Sequence, residues 1–381
     1  MNTITTLKMA LVLLMLCSGL IDVTFATQRL RFFGELQNQT TWEGASEACK
    51  ETNASLVTLN DEEDAKFMYK FTANAKNLSD TRTVWLGLRH VGNYAWSNGE
   101  AVTFTEISEE LNEEEQQCVA IHDDKWKSFN CSEKKYFMCS KGNNYTLVNS
   151  SKTWCQALQH CRDHHTELVS INCTAQNEEV INEGNGESFW IGLRHDEWKW
   201  DDDGCSSFRE WKPNAGNIIK GNCTQIGLNL ESQSVQLYRQ TCSTPREYLC
   251  AKGHVRIKVI EQNLTWEEAY TYCKVKYSRL LWIEDGNDQV AVEQWLNHTN
   301  VDGPFWICLR QSRVFGFWIW SDSLVGYSKW KGDEPQPPLS QQCGVIDKED
   351  KMWRDENCQR KLPFLCEEDI IYMSDMDSNG T

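Results

Sequence analysis

The sequence predicts an α+β protein made of three tandem copies of one unit, and three observations predict it. A short, nearly continuous apolar run occurs three times: Val84-Trp85-Leu86-Gly87-Leu88-Arg89, Phe189-Trp190-Ile191-Gly192-Leu193-Arg194 and Phe305-Trp306-Ile307-Cys308-Leu309-Arg310. Such a run reads as a strand buried on both faces. Upstream of each copy, a Trp, an Ala and a Cys recur as Trp42/Ala45/Cys49, Trp154/Ala157/Cys161 and Trp266/Ala269/Cys273. Their i, i+3, i+7 offsets put all three side chains on one helical face, pointing at a core. The three cysteines stand 112 residues apart in both intervals, and a repeat without drift outweighs every other signal in the chain.

Each element follows from local chemistry. Residues 1–26 read as a signal peptide, with Lys8 as the basic flank, Met9 to Leu16 as the apolar core and Thr24-Phe25-Ala26 as the small-residue cleavage pattern. The first unit occupies 27–140. Thr41 is a good N-cap for the helix of Trp42, Ser55 to Leu59 follows as a strand, and Asp61-Glu62-Glu63-Asp64 opens a second helix at the end its dipole favours. The second unit, 141–252, repeats this order with Glu167 to Ile171 as the early strand. The third, 253–367, repeats it with Arg279 to Ile283, and its Thr265-Trp266-Glu267-Glu268 is a capping box. Residues 368–381 read as an acidic polar tail. The joints Lys141-Gly142-Asn143 and Lys252-Gly253-His254 are short, which predicts a compact row of units.

Composition narrows the function. Net charge is −17 and no run rich in Lys or Arg appears, so nucleic acid and anionic membrane surfaces are poor partners. No segment after residue 26 is long and apolar enough to span a bilayer, which predicts no membrane insertion and a secreted, extracellular protein. Seventeen cysteines fit that compartment. Frequent sequons with ordinary middle residues, among them Asn38, Asn53, Asn77, Asn144, Asn149, Asn263 and Asn297, fit a glycoprotein. Catalysis has no support: His164-His165 and His122-Asp123-Asp124 have no nucleophile at a recognisable spacing, so the chain is read as a non-enzyme.

The recurring Trp-(Ile/Leu)-Gly-Leu run, the helix Trp and Cys, and four framework cysteines per copy resemble the C-type lectin-like domain family. Three such domains in tandem are similar to the lectin-domain array of the macrophage mannose receptor group, without its other N-terminal modules or membrane anchor. The resemblance implies, in each domain, two helices, a long-loop antiparallel sheet and framework disulfides. It implies the pairs Cys49–Cys139, Cys118–Cys131, Cys161–Cys250, Cys223–Cys242, Cys273–Cys366 and Cys343–Cys358. Cys155 and Cys173 replace acidic residues found in both sister units (Glu43 and Asp61, Glu267 and Asp285), which predicts an extra bridge between them, against two independent thiols. Cys308 reads as a buried, inert thiol, and Cys205 as an odd cysteine in a polar loop.

The resemblance also implies a ligand chemistry. Sugar-binding members share one calcium ion between protein and glycan hydroxyls, because calcium takes six to eight oxygens. Its ligands come from a Glu-Pro-Asn-type loop, a Glu before the third cysteine, and Asn-Asp after a Trp. The first unit offers Glu110-Leu111-Asn112, Gln116 and Trp126-Lys127-Ser128; the second offers Ala215-Gly216-Asn217, Gly221 and Leu237-Tyr238-Arg239. The third comes closest, with Glu334-Pro335-Gln336, Gln341 and Trp353-Arg354-Asp355. Calcium is therefore expected in the third unit only, if anywhere, held by Glu334, Gln336 and Asp355 with Pro335 in cis, and opposed by Arg354. The expected function is recognition of carbohydrate or glycoprotein ligands in immune defence. The alternative is calcium-independent protein binding, for which Trp198, Trp200, Trp318 and Trp320 are candidate anchors, although strand packing explains them as well.

Overall fold

A computed structural model describes residues 28–74, 83–91, 94–107, 117–212, 221–229, 232–312, 314, 316–321, 323–332 and 342–373. The N-terminal half of each repeat folds as its sequence directs. Thr41, Thr153 and Thr265 cap the helices Trp42–Lys50, Trp154–His164 and Trp266–Lys276 by accepting from Gly44 N, Gln156 N and Glu268 N. The last two caps are complete capping boxes. Each helix then seats its Trp on its own buried strand: the indole N–H of Trp42 donates to Leu86 O, Trp154 to Ile191 O and Trp266 to Ile307 O, all at 2.8 Å. All three helix tryptophans are buried.

The C-terminal halves do not return to their own helices in the first two repeats. Strand Thr83–His90 of the first repeat pairs with Cys223–Asn229, Trp198–Trp200 and, in parallel, Arg246–Tyr248 of the second. Strand Phe189–His195 of the second repeat pairs with Gln117–His122, Tyr94–Trp96 and, in parallel, Lys135–Lys141 of the first. The result is two lobes with exchanged halves: a first lobe of residues 28–91 and 197–252, and a second lobe of residues 94–195. The two crossings run side by side, with Val91 N donating to Glu197 O at 2.7 Å. Asp196, in the return crossing, is gripped by Arg194 of the second lobe and by Arg209 of the first. Burial would raise the Asp196 carboxyl, but the two guanidinium groups hold it below the usual range.

The disulfides correct the expected framework. Cys49 bonds Cys250 and Cys139 bonds Cys161, with Cα atoms 5.4 and 5.3 Å apart, in place of Cys49–Cys139 and Cys161–Cys250. The cause lies in the repeat itself. Two near-equivalent units offer each helix cysteine two equivalent last strands, and spacing cannot choose between them. The bridges Cys118–Cys131, Cys223–Cys242, Cys273–Cys366 and Cys343–Cys358 are as expected.

The expected bridge between Cys155 and Cys173 is also corrected: Cys155 bonds Cys205 across the two lobes. Cys205 is thus a buried bridge partner and not an odd thiol. Cys173 is exposed and unbridged, and it stands at the N-cap of helix Thr174–Glu183 without a side-chain cap bond. Its counterpart Asp285 accepts from Asn287 N and Asp288 N at the start of helix Gly286–His298. The acidic residue lost at this position was a cap. Cys173→Asp is therefore expected to raise stability by about 1 kcal/mol, read as a higher denaturation midpoint; an unchanged midpoint would refute the capping role.

The third repeat folds on itself. Val255–Leu264 pairs with Leu362–Asp369, and Phe305–Gln311 lies between Leu362–Asp369 and Gln342–Ile346. Cys308 is a buried thiol there, as expected. One hydrophobic core runs from the first lobe into this unit, where Phe67 of helix Glu62–Asn74 stacks on Trp295 of helix Gly286–His298 at 4.2 Å. After the last strand the chain returns to the lobes: Cys205 N donates to Ile371 O, Met373 N to Asp203 O, and Arg162 binds the carbonyls of Tyr372 and Met373. At the expected joints, Lys141 and Asn144 close a tight hairpin turn with Gly142 at φ +60°, while the chain only bends after Gly253, at φ +87°.

Candidate functional site

The hairpin after the long loop recurs in all three bodies, and its register defines equivalent positions. Val119 faces Ser128, Thr224 faces Arg239, and Gly344 faces Asp355. Two residues earlier on the same strand face stand Trp126, Leu237 and Trp353, all buried. Ser128, Arg239 and Asp355 thus occupy one position, three residues before Cys131, Cys242 and Cys358.

In the third unit this position carries a carboxylate beside an aromatic floor. Trp353 donates its indole N–H to Gln289 at 2.9 Å and packs edge-on against Trp320 and Trp330. Trp330 in turn lies 4.8 Å from Trp318. Trp198, Trp200 and Trp320 are buried, so strand packing accounts for three of the four candidate anchors, while Trp318 is half-buried. Arg354, expected to oppose a cation, is drawn onto its own hairpin turn, 2.8 Å from Asp347 and 2.7 Å from Asp350. Slight burial raises Asp350, but hydrogen bonds from Lys331, Met352 N and Arg354 outweigh it and lower the carboxyl to about 2. The charge of Arg354 is therefore compensated within the turn. Glu334, Pro335, Gln336 and Gln341 lie outside the described residues.

The other two bodies differ at the same place. In the second lobe, Trp126 donates to Asn177 at 2.8 Å, Lys127 pairs with Asp123 at 3.1 Å, and the Ser128 hydroxyl is buried without a partner. Glu110, Leu111, Asn112 and Gln116 lie outside the described residues, as do Ala215, Gly216 and Asn217 of the first lobe. In the first lobe the position holds Arg239, whose guanidinium carbon sits 5.1 Å from the Trp198 ring centre and 5.8 Å from that of Trp211. A Cβ on neighbouring Gly221 would lie 2.2 Å from the Gln240 backbone, so no ligand-bearing side chain fits there. Sequence reasoning placed Arg239 correctly by its distance from Cys242, but had no signal for the two rings that hold it.

The histidine pairs stay on the surface. His122 contacts Asp123 at 3.4 Å, and His160 stacks on His164 at 4.3 Å. Among the described residues, Glu43, Cys223 and Cys242 bring possible metal-ligating atoms together, but both sulfurs are used in the Cys223–Cys242 bridge.

Comparison with known proteins gives a consistent result. A family model described as the lectin C-type domain matches residues 38–141, 150–252 and 262–368. The secretory phospholipase A2 receptor of Bos taurus is 24% identical over 85% of this chain and 27% of that protein. Human lymphocyte antigen 75 is 24% identical over 68% of this chain and 16% of its own. Human C-type mannose receptor 2 is 32% identical over 28% of this chain and 7% of its own. The chain therefore spans about a quarter or less of these relatives. Among solved structures, human lithostathine is 24% identical, covering 30% of this chain and 82% of that one, with a TM-score of 0.28. A calcium-independent type II antifreeze protein is 26% identical over 31% and 89%, also with a TM-score of 0.28.

Proposed function

Because the chain belongs to the C-type lectin domain family, we propose that it is a secreted recognition protein that binds carbohydrate or glycoprotein ligands in immune defence and does no catalysis. The seven disulfides support an extracellular setting, where such bridges persist. Among the described residues no helix is long and apolar enough to cross a membrane. Six sequon asparagines, Asn38, Asn53, Asn144, Asn149, Asn263 and Asn297, are exposed and open to glycosylation.

The observation that carries the reading is Asp355, a carboxylate at the shared position, with the neighbouring Arg354 neutralised by Asp347 and Asp350. Asp355 fits a divalent cation, and with Glu334 and Gln336 it would hold calcium there. The ion would supply coordination sites for sugar hydroxyls. Two carboxylates are few for this ion, so affinity belongs near the millimolar range of extracellular modules. Glycan-array binding by the whole chain is expected to fall at least tenfold in chelator and equally in Asp355→Asn. Undiminished glycan binding in both would exclude the calcium route.

A second reading, calcium-independent recognition of protein ligands, is favoured in the two exchanged lobes. Ser128 and Arg239 replace the carboxylate there, and Arg239 puts a fixed positive charge where a cation would sit.

A further inference from the structure

Arg239 is more than a missing calcium ligand. It is half-buried and lies over two indole rings, Trp198 and Trp211, whose centres are 4.9 Å apart and whose planes are tilted by 55°. Neither an ion pair nor a hydrogen bond links it to another described residue. Lys212, next to Trp211, is exposed and has no carboxylate partner among the described residues, and its ammonium lies 5.2 Å from the Tyr238 ring, on the strand face opposite to Arg239. The nearby acid Glu197 is engaged by His90 at 3.0 Å, and His90 itself packs edge-on against Trp198. The third unit has the same indole pair, Trp318 and Trp330 at 4.8 Å, but Asp355 at the position of Arg239. The floor is common to both bodies, and only the sign of the charge on it is reversed.

Indole faces hold a guanidinium by attraction to their electron-rich centres and fix its plane. The N–H groups stay at its edge, in the fork that matches a carboxylate or sulfate. An arginine held this way loses little freedom on binding an oxyanion, whereas calcium would be repelled. We propose that the face of the first lobe that carries Arg239 binds an anionic saccharide without calcium, with Arg239 as the contact. The inference rests on the glycan-recognition reading for the saccharide and on Arg239 for its charge. The recognised group is a sulfate or a carboxylate carried on a sugar ring.

The test uses the whole chain in chelator, over immobilised heparin as the sulfated probe and hyaluronan as the probe bearing carboxylate alone. With a net charge of −17 the chain is repelled by polyanions in general, so retention reports a local site. Wild type is expected to bind at least one polymer, and which one distinguishes sulfate from carboxylate. Arg239→Gln should weaken binding tenfold or more, Arg239→Lys should recover part of it, and Lys212→Gln, on the opposite strand face, should cost much less than Arg239→Gln. Arg239→Lys keeps the charge and the apolar stem, so it keeps the test open if Arg239→Gln misfolds: its binding should fall below that of wild type because the fork is lost. Failure of wild type to bind either polymer, or equal binding by wild type, Arg239→Gln and Arg239→Lys, overturns the proposal. Loss of neutral-glycan binding in Asp355→Asn alongside such a failure would leave the general reading standing. Absence of any glycan binding, with or without calcium, would remove both.

Discussion

A protease site inserted at the Gly142 turn and cut without reduction is expected to leave the chain as one covalent species. Cys49–Cys250 and Cys139–Cys161 both span that cut. Peptide maps should show those two links and no Cys49–Cys139 peptide. In the uncrossed pairing every bridge of the first repeat is internal, so the same cut would release residues 27–141 as a free fragment. That release would sink the exchanged architecture. Loss of the bridge should also be costly. The neighbouring disulfides shorten the chain path from Cys49 to Cys250 to roughly 100 residues, for which chain entropy alone gives about 4.7 kcal/mol. Measured losses run about 2–5 kcal/mol, so Cys49→Ala should lower the melting temperature by roughly 2–4 °C per kcal/mol in a body of this size. The variant also leaves Cys250 unpaired, so Cys49→Ala combined with Cys250→Ala separates loss of the crosslink from thiol scrambling.

What the sequence made legible is what is local. The helix caps at Thr41 and Thr265, the face carrying Trp, Ala and Cys, and the buried strand of each repeat were read correctly, and within each repeat these elements lie within about 45 residues of one another. The choice of partner for each C-terminal half was not legible. Strands Lys135–Lys141 and Arg246–Tyr248 present the same pattern to the same kind of neighbour, so no residue in either announces its destination. Cys173 misled for a related reason: an acidic residue lost together with another looks like a new bridge, although its sister Asp285 serves as a helix cap. At the candidate site, residue counting from the cysteines found Asp355 and Arg239. It could not show that Arg354 is neutralised by Asp347 and Asp350, or that Arg239 lies on two indoles, because those partners come from separate segments.

Arg256→Ala is expected to lower stability by about 3–5 kcal/mol, the cost of leaving buried charges without their partner. Arg256 lies in the first strand of the third unit and is 5% exposed; it reaches Asp61 at 2.8 Å, Asp64 at 2.7 Å and Glu368 at 2.7 Å. Asp64 is 2% exposed, so its charge has little water to fall back on. Asp61 and Asp64 belong to the first lobe, so the same ions fasten that lobe to the third unit, with Lys258 bonding Asp61 and Glu63 alongside. The exposed pair Lys331–Asp350 is the control: Lys331→Ala should cost less than about 1 kcal/mol. Acid should reproduce the effect in two steps. Burial raises the Glu368 carboxyl above its ordinary value, despite the nearby Arg256 and Lys258, so it takes up its proton first and that step costs the fold no stability. Burial would raise Asp61 too, but Arg256 and Lys258 outweigh it and hold that carboxyl well below the usual range. A depressed carboxyl contributes stability that is present above its unfolded value, near pH 4, and is lost as pH falls through its folded value. Urea unfolding of wild type should therefore weaken steeply below about pH 4, and Arg256→Ala should flatten that slope. Equal acid slopes in the two proteins, or a loss in Arg256→Ala no larger than in Lys331→Ala, would show that the third unit is held by its apolar contact with helix Glu62–Asn74 and not by these ions.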